Sequence, residues 1–167
     1  MLSRVKSHGL SGIGGFCVQV ETDIANGLPA FEIVGLPDAA VKESRERVRA
    51  AIKNAGYIFP AARITVNLAP ADMRKEGAVY DLPVALSILG ASGQLGANPK
   101  MEFVAFGELG LDGGVRAIAG VLPMVIDAFG KGETVFAVPL GNAEEAAYVE
   151  GISVLPVSSL AELCAHV

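Results

Sequence analysis

Residues 31–56, FEIVGLPDAAVKESRERVRAAIKNAG, contain the change of hydrophobic period that decides the fold. Residues 31–34 are a short, mostly apolar run of the kind found in strands. From residue 38 onward, apolar side chains recur at helical spacing, at Val41, Val48, Ile52 and Ala55. Asp38 can cap the helix, and Gly56 stands where a helix ends. The stretch therefore predicts a strand followed by an amphipathic helix over residues 38–55, about five turns long.

The segment before this unit alternates between two sets of side chains, which is the period of a half-buried strand. One parity holds Phe16, Val18, Val20 and Thr22, and the other holds Cys17, Gln19, Glu21 and Asp23. A turn signal at residues 26–29 separates this run from residues 31–34. Residues 14–34 therefore predict an antiparallel pair, to which residues 1–10 can add a further strand.

Beyond the helix, the patterns predict strands and helices in a mixed α/β order. Strands are predicted at residues 63–68, 101–106, 134–138 and 152–155, and helices at residues 82–89, 119–129 and 142–149. Residues 109–115 carry an Asp-Gly turn typical of a tight hairpin. Ser159 and Glu162 have the spacing of a capping box, although only five residues follow Glu162. A helix this short is marginal, so we expect a fragment of a longer polypeptide.

The composition is that of a globular protein. Of 167 residues, 51% are hydrophobic and 19% are charged, which excludes a disordered chain. No apolar run approaches the roughly 20 residues needed to cross a bilayer, and residues 1–6 do not open a signal peptide. We therefore expect a cytoplasmic protein without membrane contact. Cys17 and Cys164 have no metal-binding spacing and are both expected to be small buried side chains.

The net charge of −5 is unevenly distributed along the chain. Residues 1–76 hold 10 basic and 8 acidic groups, a balance of +2, whereas residues 77–167 hold 3 and 10, a balance of −7. An acidic protein approaches a polyanion only through a locally positive surface. The same asymmetry suits head-to-tail contacts between copies of the chain.

Four basic residues share one stripe of the predicted helix, beside its apolar face. They are Lys42, Arg45, Arg49 and Lys53. Such a stripe can contact phosphates or an acidic neighbour. It can equally be a solvated face on which Glu43, Glu46 and Arg47 are the local partners. The sequence leaves both interpretations open.

Motifs for phosphate binding and for a nucleophilic serine are absent from the sequence. No GxxxxGKS/T loop occurs, and the nearest approach to GxSxG, at residues 9–13, lacks the final glycine. The densest set of carboxylates is Asp72, Glu76 and Asp81. These residues permit a Mg²⁺ site without specifying one, because charged loops are often only solvated.

Three stretches carry a family resemblance: residues 31–56, residues 64–77 with ITVNLAPAD and RKEG, and residues 80–86, YDLPVAL. They closely resemble the N-terminal region of the YifB/ComM family of magnesium-chelatase-like AAA+ ATPases. The resemblance covers nearly the whole chain. It implies an α/β fold with a mixed sheet, similar to the C-terminal domain of Lon protease and to the second domain of a small-subunit ribosomal protein. The recombination helicase RadA carries a similar domain, and residues 107–116 are where these proteins look most alike.

The resemblance implies that residues 1–167 are a single Lon-like domain at the N-terminus of a longer AAA+ protein. The parent protein would bind ATP and Mg²⁺ in a downstream module, whereas this fragment would hold no cofactor. The parent would form a homo-oligomeric ring, a hexamer. It would act as a helicase on branched DNA in recombination and natural transformation.

The resemblance to Lon raises the question of proteolysis, which needs both a serine and a neighbouring lysine. Residues 75–77 are similar to the segment before the Lon serine, yet Asp81 or Val79 stands at the serine's position. The lysine's region, residues 121–126, contains no lysine. The only substitute pair, Ser87 with Lys131, combines an apolar helix with a glycine turn. We therefore expect no peptidase activity.

These observations favour a non-catalytic platform domain that supports ring assembly and DNA engagement. The expected contact surface is Lys42, Arg45, Arg49 and Lys53, extended by Arg74 and Lys75. Few aromatic residues lie nearby, Tyr57 and Phe59 being the nearest, so contact with the DNA backbone is expected rather than base readout. One alternative is an oligomerisation module that never contacts DNA. The other is a relict hydrolase or a carboxylate metal site at Asp72, Glu76 and Asp81.

Overall fold

The computed structural model describes residues 1–12 and 14–167. The strands are Leu2–Ser11 (β1), Gly14–Ala25 (β2), Ala30–Val34 (β3), Arg63–Ala69 (β4), Val104–Ala105 (β5), Glu108–Leu109 (β6), Val115–Arg116 (β7), Val135–Pro139 (β8) and Ser153–Val157 (β9). The α-helices are Ala39–Asn54 (α1), Asp81–Ala91 (α2), Val121–Gly130 (α3), Ala143–Ala146 (α4) and Leu160–His166 (α5), and Leu140–Asn142 is a 3₁₀ turn. Seven strands form one mixed sheet in the order β3-β4-β2-β1-β5-β8-β9, and β6 pairs with β7. This architecture confirms the α/β fold class.

The long hairpin of β1 and β2 confirms the alternating pattern, since Phe16, Val18 and Val20 are all buried. The predicted antiparallel pairing of residues 14–25 with residues 31–34 is wrong. β3 pairs in parallel with β4, and β4 pairs antiparallel with β2. Parallel neighbours need a long crossover, which α1 provides between β3 and β4. β3 is consequently left at the edge of the sheet, with α1 beside it.

The main core lies between one face of the sheet and helices α1, α2 and α5. Val41, Val48 and Ile52 of α1 are completely buried, as the helical pattern predicts. Every residue of α2 is buried. Because α2 is buried on all sides, its sequence is uniformly apolar rather than amphipathic.

A second core lies on the opposite face of the sheet, under α3 and α4. Val121 and Val125 of α3 pack there against Phe136 of β8. Within residues 1–12 and 14–167, no helix is both long and apolar enough to span a membrane.

Four local predictions differ from the structure. The helix expected at residues 142–149 is reduced to Ala143–Ala146, preceded by the 3₁₀ turn at Leu140–Asn142. The strand expected at residues 101–106 is reduced to Val104–Ala105. Cys164 is buried, but Cys17 is exposed, because it lies on the parity of β2 that faces away from the main core. The Ser159 hydroxyl accepts the expected hydrogen bond from the Glu162 amide at 3.1 Å, whereas the Glu162 carboxylate bonds to the Ser158 hydroxyl instead of closing the box.

Candidate functional site

Helix α1 carries the candidate surface, and its ends are set by local chemistry. Asp38 accepts a hydrogen bond from the Val41 amide at 2.8 Å, which caps the first turn. Gly56 follows the last turn at a φ of +89°, a conformation that disfavours other residues. The apolar side of α1 packs inward, so its basic side lies along the edge strand β3.

The two arginines at the middle of the stripe are held against the domain. Arg45 donates to the Phe31 carbonyl at 3.4 Å and lies 3.8 Å from the Glu32 carboxylate. The Arg49 guanidinium lies 4.8 Å from the centre of the Phe59 ring, a cation–π contact. Phe59 is therefore covered by Arg49, which makes it a poor platform for a nucleobase.

The two lysines at the ends of the stripe are exposed. Within the described part of the chain, neither Lys42 nor Lys53 lies within 4.0 Å of a carboxylate. They are eleven residues apart, which is about 16 Å along a helix axis. The surface therefore presents two free ammonium groups with two anchored guanidinium groups between them. We call Lys42, Arg45, Arg49 and Lys53 the α1 basic surface.

The two residues expected to extend this surface differ in their environment. Arg74 is exposed and lies 3.5 Å from the Glu76 carboxylate. Lys75 is completely buried, and its ammonium group donates to the carbonyl of Gly35 at 2.8 Å and to that of Pro70. Burial lowers the pKa of Lys75. The prediction that Lys75 contacts DNA or another subunit is therefore wrong, because its charged end faces the protein's own backbone.

The three carboxylates considered as a metal site do not act together. Asp81 is buried, and its two oxygens accept hydrogen bonds from Arg47 at 2.7 and 3.1 Å. Asp72 and Glu76 are exposed loop residues. Among the residues described, no group of three histidine, cysteine or acidic side chains is placed to hold a metal ion. The alternative of a metal site at Asp72, Glu76 and Asp81 therefore lacks its third ligand, since both carboxylate oxygens of Asp81 accept hydrogen bonds from Arg47.

A cavity of about 410 Å³ lies where the resemblance to Lon places the protease dyad. Residues 76–80 line one side, and Met124 lies on the other. Of the residues described, none that lines the cavity is a serine or a lysine. The substitute pair does not meet either. Ser87 on α2 is buried and donates to the Ser3 carbonyl, whereas Lys131 lies at the end of α3, on the opposite face of the sheet, and donates to Asp127 four residues earlier.

Sequence reasoning missed two polar clusters. It placed Arg47 among local helix partners, yet the main partner of Arg47 is Asp81, 34 residues away. On the opposite face of the sheet, the buried His8 lies 2.5 Å from the Asp127 carboxylate, which also accepts from Lys131 at 2.7 Å. Asp127 and Lys131 are four residues apart at the end of α3, but no local spacing links Arg47 to Asp81 or His8 to Asp127, so no motif indicates either cluster.

Comparison with known proteins identifies the family. A family model described as subunit ChlI of Mg-chelatase matches residues 20–142. The chain is 42% identical over 164 residues to the uncharacterized protein YifB of Escherichia coli, covering 98% of this chain and 32% of that protein. It is 44% identical over 162 residues to an uncharacterized protein of Mycobacterium tuberculosis, covering 97% of this chain and 32% of that protein.

A third relative has a name that mentions a process. The chain is 44% identical over 148 residues to the competence protein ComM of Haemophilus influenzae, covering 89% of this chain and 29% of that protein. The chain belongs to the magnesium-chelatase-like family defined by the ChlI model. It spans about a third of the length of the curated relatives it matches.

Proposed function

We propose that this chain is the N-terminal platform domain of a cytoplasmic, magnesium-chelatase-like AAA+ ATPase, and that it contributes ring assembly and DNA engagement rather than catalysis. The observation that carries the proposal is the α1 basic surface. In a protein of net charge −5, this surface exposes two lysines that have no acidic partner among the described residues. A polyanion can approach an acidic protein at such a surface.

The family supports the remainder of the proposal. One relative is named a competence protein, and we propose that the parent of this chain is a hexameric helicase that acts on branched DNA during recombination and transformation. The parent would bind ATP and Mg²⁺. This chain contains no GxxxxGKS/T loop and does not fit the nucleotide, so its own residues contribute positioning and contact.

The α1 basic surface is best tested at its two ends. Lys42→Glu and Lys53→Glu reverse charges that form no ion pair with the residues the structure describes, whereas changes at Arg45 or Arg49 would also disturb contacts with β3 and Phe59. In the full-length protein, the double reversal is expected to weaken DNA binding for all sequences alike. The slope of log affinity against log salt should fall by about two, one for each lost phosphate contact. Lys100→Glu, an exposed lysine outside the surface, is the matched control and should retain both affinity and slope.

The assembly interpretation uses the same surface differently. An acidic cluster on and beside α4, made of Glu144, Glu145 and Glu150, could receive the lysines of an adjacent copy. If the double reversal disrupts the oligomer while DNA binding by the full-length protein stays intact, the DNA assignment is wrong and assembly takes its place. If both are retained, the α1 basic surface serves neither role.

A further inference from the structure

The 410 Å³ cavity lies away from the α1 basic surface and has a different chemistry. Its walls come from the end of β1, the loop before α2, strand β6 and the loop before α3. Its volume is within the range of about 300–1,000 Å³ that is typical of small-molecule sites.

One wall presents a buried phenol. Tyr80 is only 2% exposed and lines the cavity, and within residues 1–12 and 14–167 its hydroxyl has no side-chain hydrogen bond. The hydroxyl oxygen is not among the fully enclosed polar atoms that lack a partner, so it opens onto the cavity. Gly9 lies directly against this hydroxyl, and a Cβ atom at Gly9 would clash with the Tyr80 oxygen. A buried tyrosine usually has a hydrogen-bond partner, because an unmet polar group costs free energy. Burial also raises the pKa of Tyr80, so the hydroxyl stays neutral and can accept as well as donate.

The charge of the cavity is entirely negative among its described lining residues, and it comes from Glu76 and Glu108. The cation near Glu76 is Arg74 at 3.5 Å, and both side chains are mostly exposed, which makes the pair weak. Within the described residues, Glu108 has no ion pair, although Arg116 lies opposite it in the β6–β7 ladder. The two carboxylates are therefore available to a ligand.

The rest of the lining is largely apolar. Leu10, Ile118 and Met124 contribute side chains that can contact a hydrocarbon stem. An elongated group with a positive head and an apolar body would satisfy the carboxylates and the apolar wall together.

We infer that this cavity binds an alkylammonium or alkylguanidinium group, with Glu76 and Glu108 facing the cation, the Tyr80 hydroxyl accepting a hydrogen bond from it and the apolar wall contacting its stem. The group can be a free amine or the side chain of a lysine or arginine on a protein segment. This inference does not rest on the proposed DNA role, because none of these residues belongs to the α1 basic surface.

The test uses two cationic probes and one neutral probe on the 167-residue chain. The cationic probes are agmatine and Nα-acetyl-arginine amide, and the neutral probe is Nα-acetyl-norleucine amide, which keeps an apolar stem without the charge. Amide chemical shifts would be followed in a titration, with calorimetry for affinity. We expect saturable shifts at Gly77, Glu108 and Ala117 with a cationic probe and none with the norleucine amide. Equal binding of Nα-acetyl-arginine amide and Nα-acetyl-norleucine amide would overturn the inference, as would an absence of saturable shifts with both cations.

Substitutions in the cavity then test how much Glu76, Glu108 and Tyr80 each contribute to binding of the cation. Glu108→Gln and Glu76→Gln are each expected to weaken binding about tenfold, since each removes a charged hydrogen-bond acceptor, and Tyr80→Phe about fivefold. Glu102→Gln, at an exposed carboxylate outside the cavity, is the matched control and should bind as the wild type does. If Glu102→Gln weakens binding as much as Glu108→Gln, the cation is held by the general acidity of the chain and the assigned site is wrong. Because agmatine carries two positive charges and the amide one, the two sources are separated with n-butylguanidine, which also carries one. Tighter binding of n-butylguanidine than of the amide supports a free small molecule, and the reverse order supports a protein side chain.

Discussion

The Arg47 guanidinium and the Asp81 carboxylate form a two-point contact, with Nε to Oδ2 at 2.7 Å and Nη2 to Oδ1 at 3.1 Å. Asp81 also accepts a hydrogen bond from the Leu109 amide at 3.1 Å. One carboxylate at the start of α2 therefore joins α1 to α2 and to the β6–β7 hairpin. This contact sets the position of the helix that carries the α1 basic surface.

Replacing Arg47 with methionine keeps an apolar stem but leaves Asp81 buried without its cation. We expect the free energy of unfolding to decrease by about 3–5 kcal/mol, as for other broken buried pairs. Chemical denaturation followed by circular dichroism measures the change. Glu43→Gln is the control, because Glu43 is 73% exposed and 3.8 Å from Arg47, and it should cost less than about 1 kcal/mol. Equal costs for the two variants would contradict an anchoring role for Arg47.

Lys75 and Lys42 are expected to give opposite results when each is changed to methionine. Lys75→Met removes the donor to the carbonyls of Gly35 and Pro70, so stability should decrease by about 1–3 kcal/mol while DNA binding by the full-length protein is unchanged. Lys42→Met should leave stability within about 0.5 kcal/mol and weaken DNA binding. Thermal denaturation and a DNA titration at fixed salt measure the two effects. A loss of DNA affinity in Lys75→Met without a loss of stability would reverse the assignment.

His8 should make stability depend on pH. Burial is the main cause that lowers the pKa of His8 below its ordinary value of 6.5. As the pH falls below 6.5, the unfolded chain binds a proton that the folded chain does not, so the free energy of unfolding decreases until the lowered pKa of folded His8 is passed. The favourable contribution is fully present above that window.

Urea denaturation at about pH 7.5 and about pH 5.5 measures this slope. Asp127 does not contribute in this range, because its pKa is lowered, chiefly by the hydrogen bond from Lys131. His8→Gln is expected to reduce the slope, and His166→Gln, at the exposed second histidine, to leave it unchanged. An unaltered slope in His8→Gln would show that another group causes the pH dependence.

The isolated chain is expected to associate weakly. Its +2 and −7 parts favour head-to-tail contacts, which added salt screens. Sedimentation velocity at increasing protein concentration should show a gradual rise in mass that about 0.5 M salt suppresses. A tight, salt-insensitive two-fold dimer would contradict this expectation and the ring geometry it supports.

The sequence by itself determined the features that depend on near neighbours along the chain. The alternation at residues 16–22 determined which face of β2 is buried, and Asp38 and Gly56 determined the limits of α1. The Asp-Gly turn of the β6–β7 hairpin is likewise determined by residues that are adjacent along the chain. In each case the favourable contact or allowed backbone conformation involves residues only a few positions apart, so the pattern alone specifies the result.

Only the tertiary structure decided which charges are free. The sequence treats Lys42 and Lys75 alike, yet one is exposed on α1 and the other is buried against the carbonyls of Gly35 and Pro70. The sequence suggests that Asp81 is a loop carboxylate. In the structure, Asp81 accepts a hydrogen bond from Arg47 of α1, which is 34 residues away along the chain. The reason is physical: the cost of burying a charge depends on donors and acceptors that the folded chain brings from distant positions, and no local pattern contains that information.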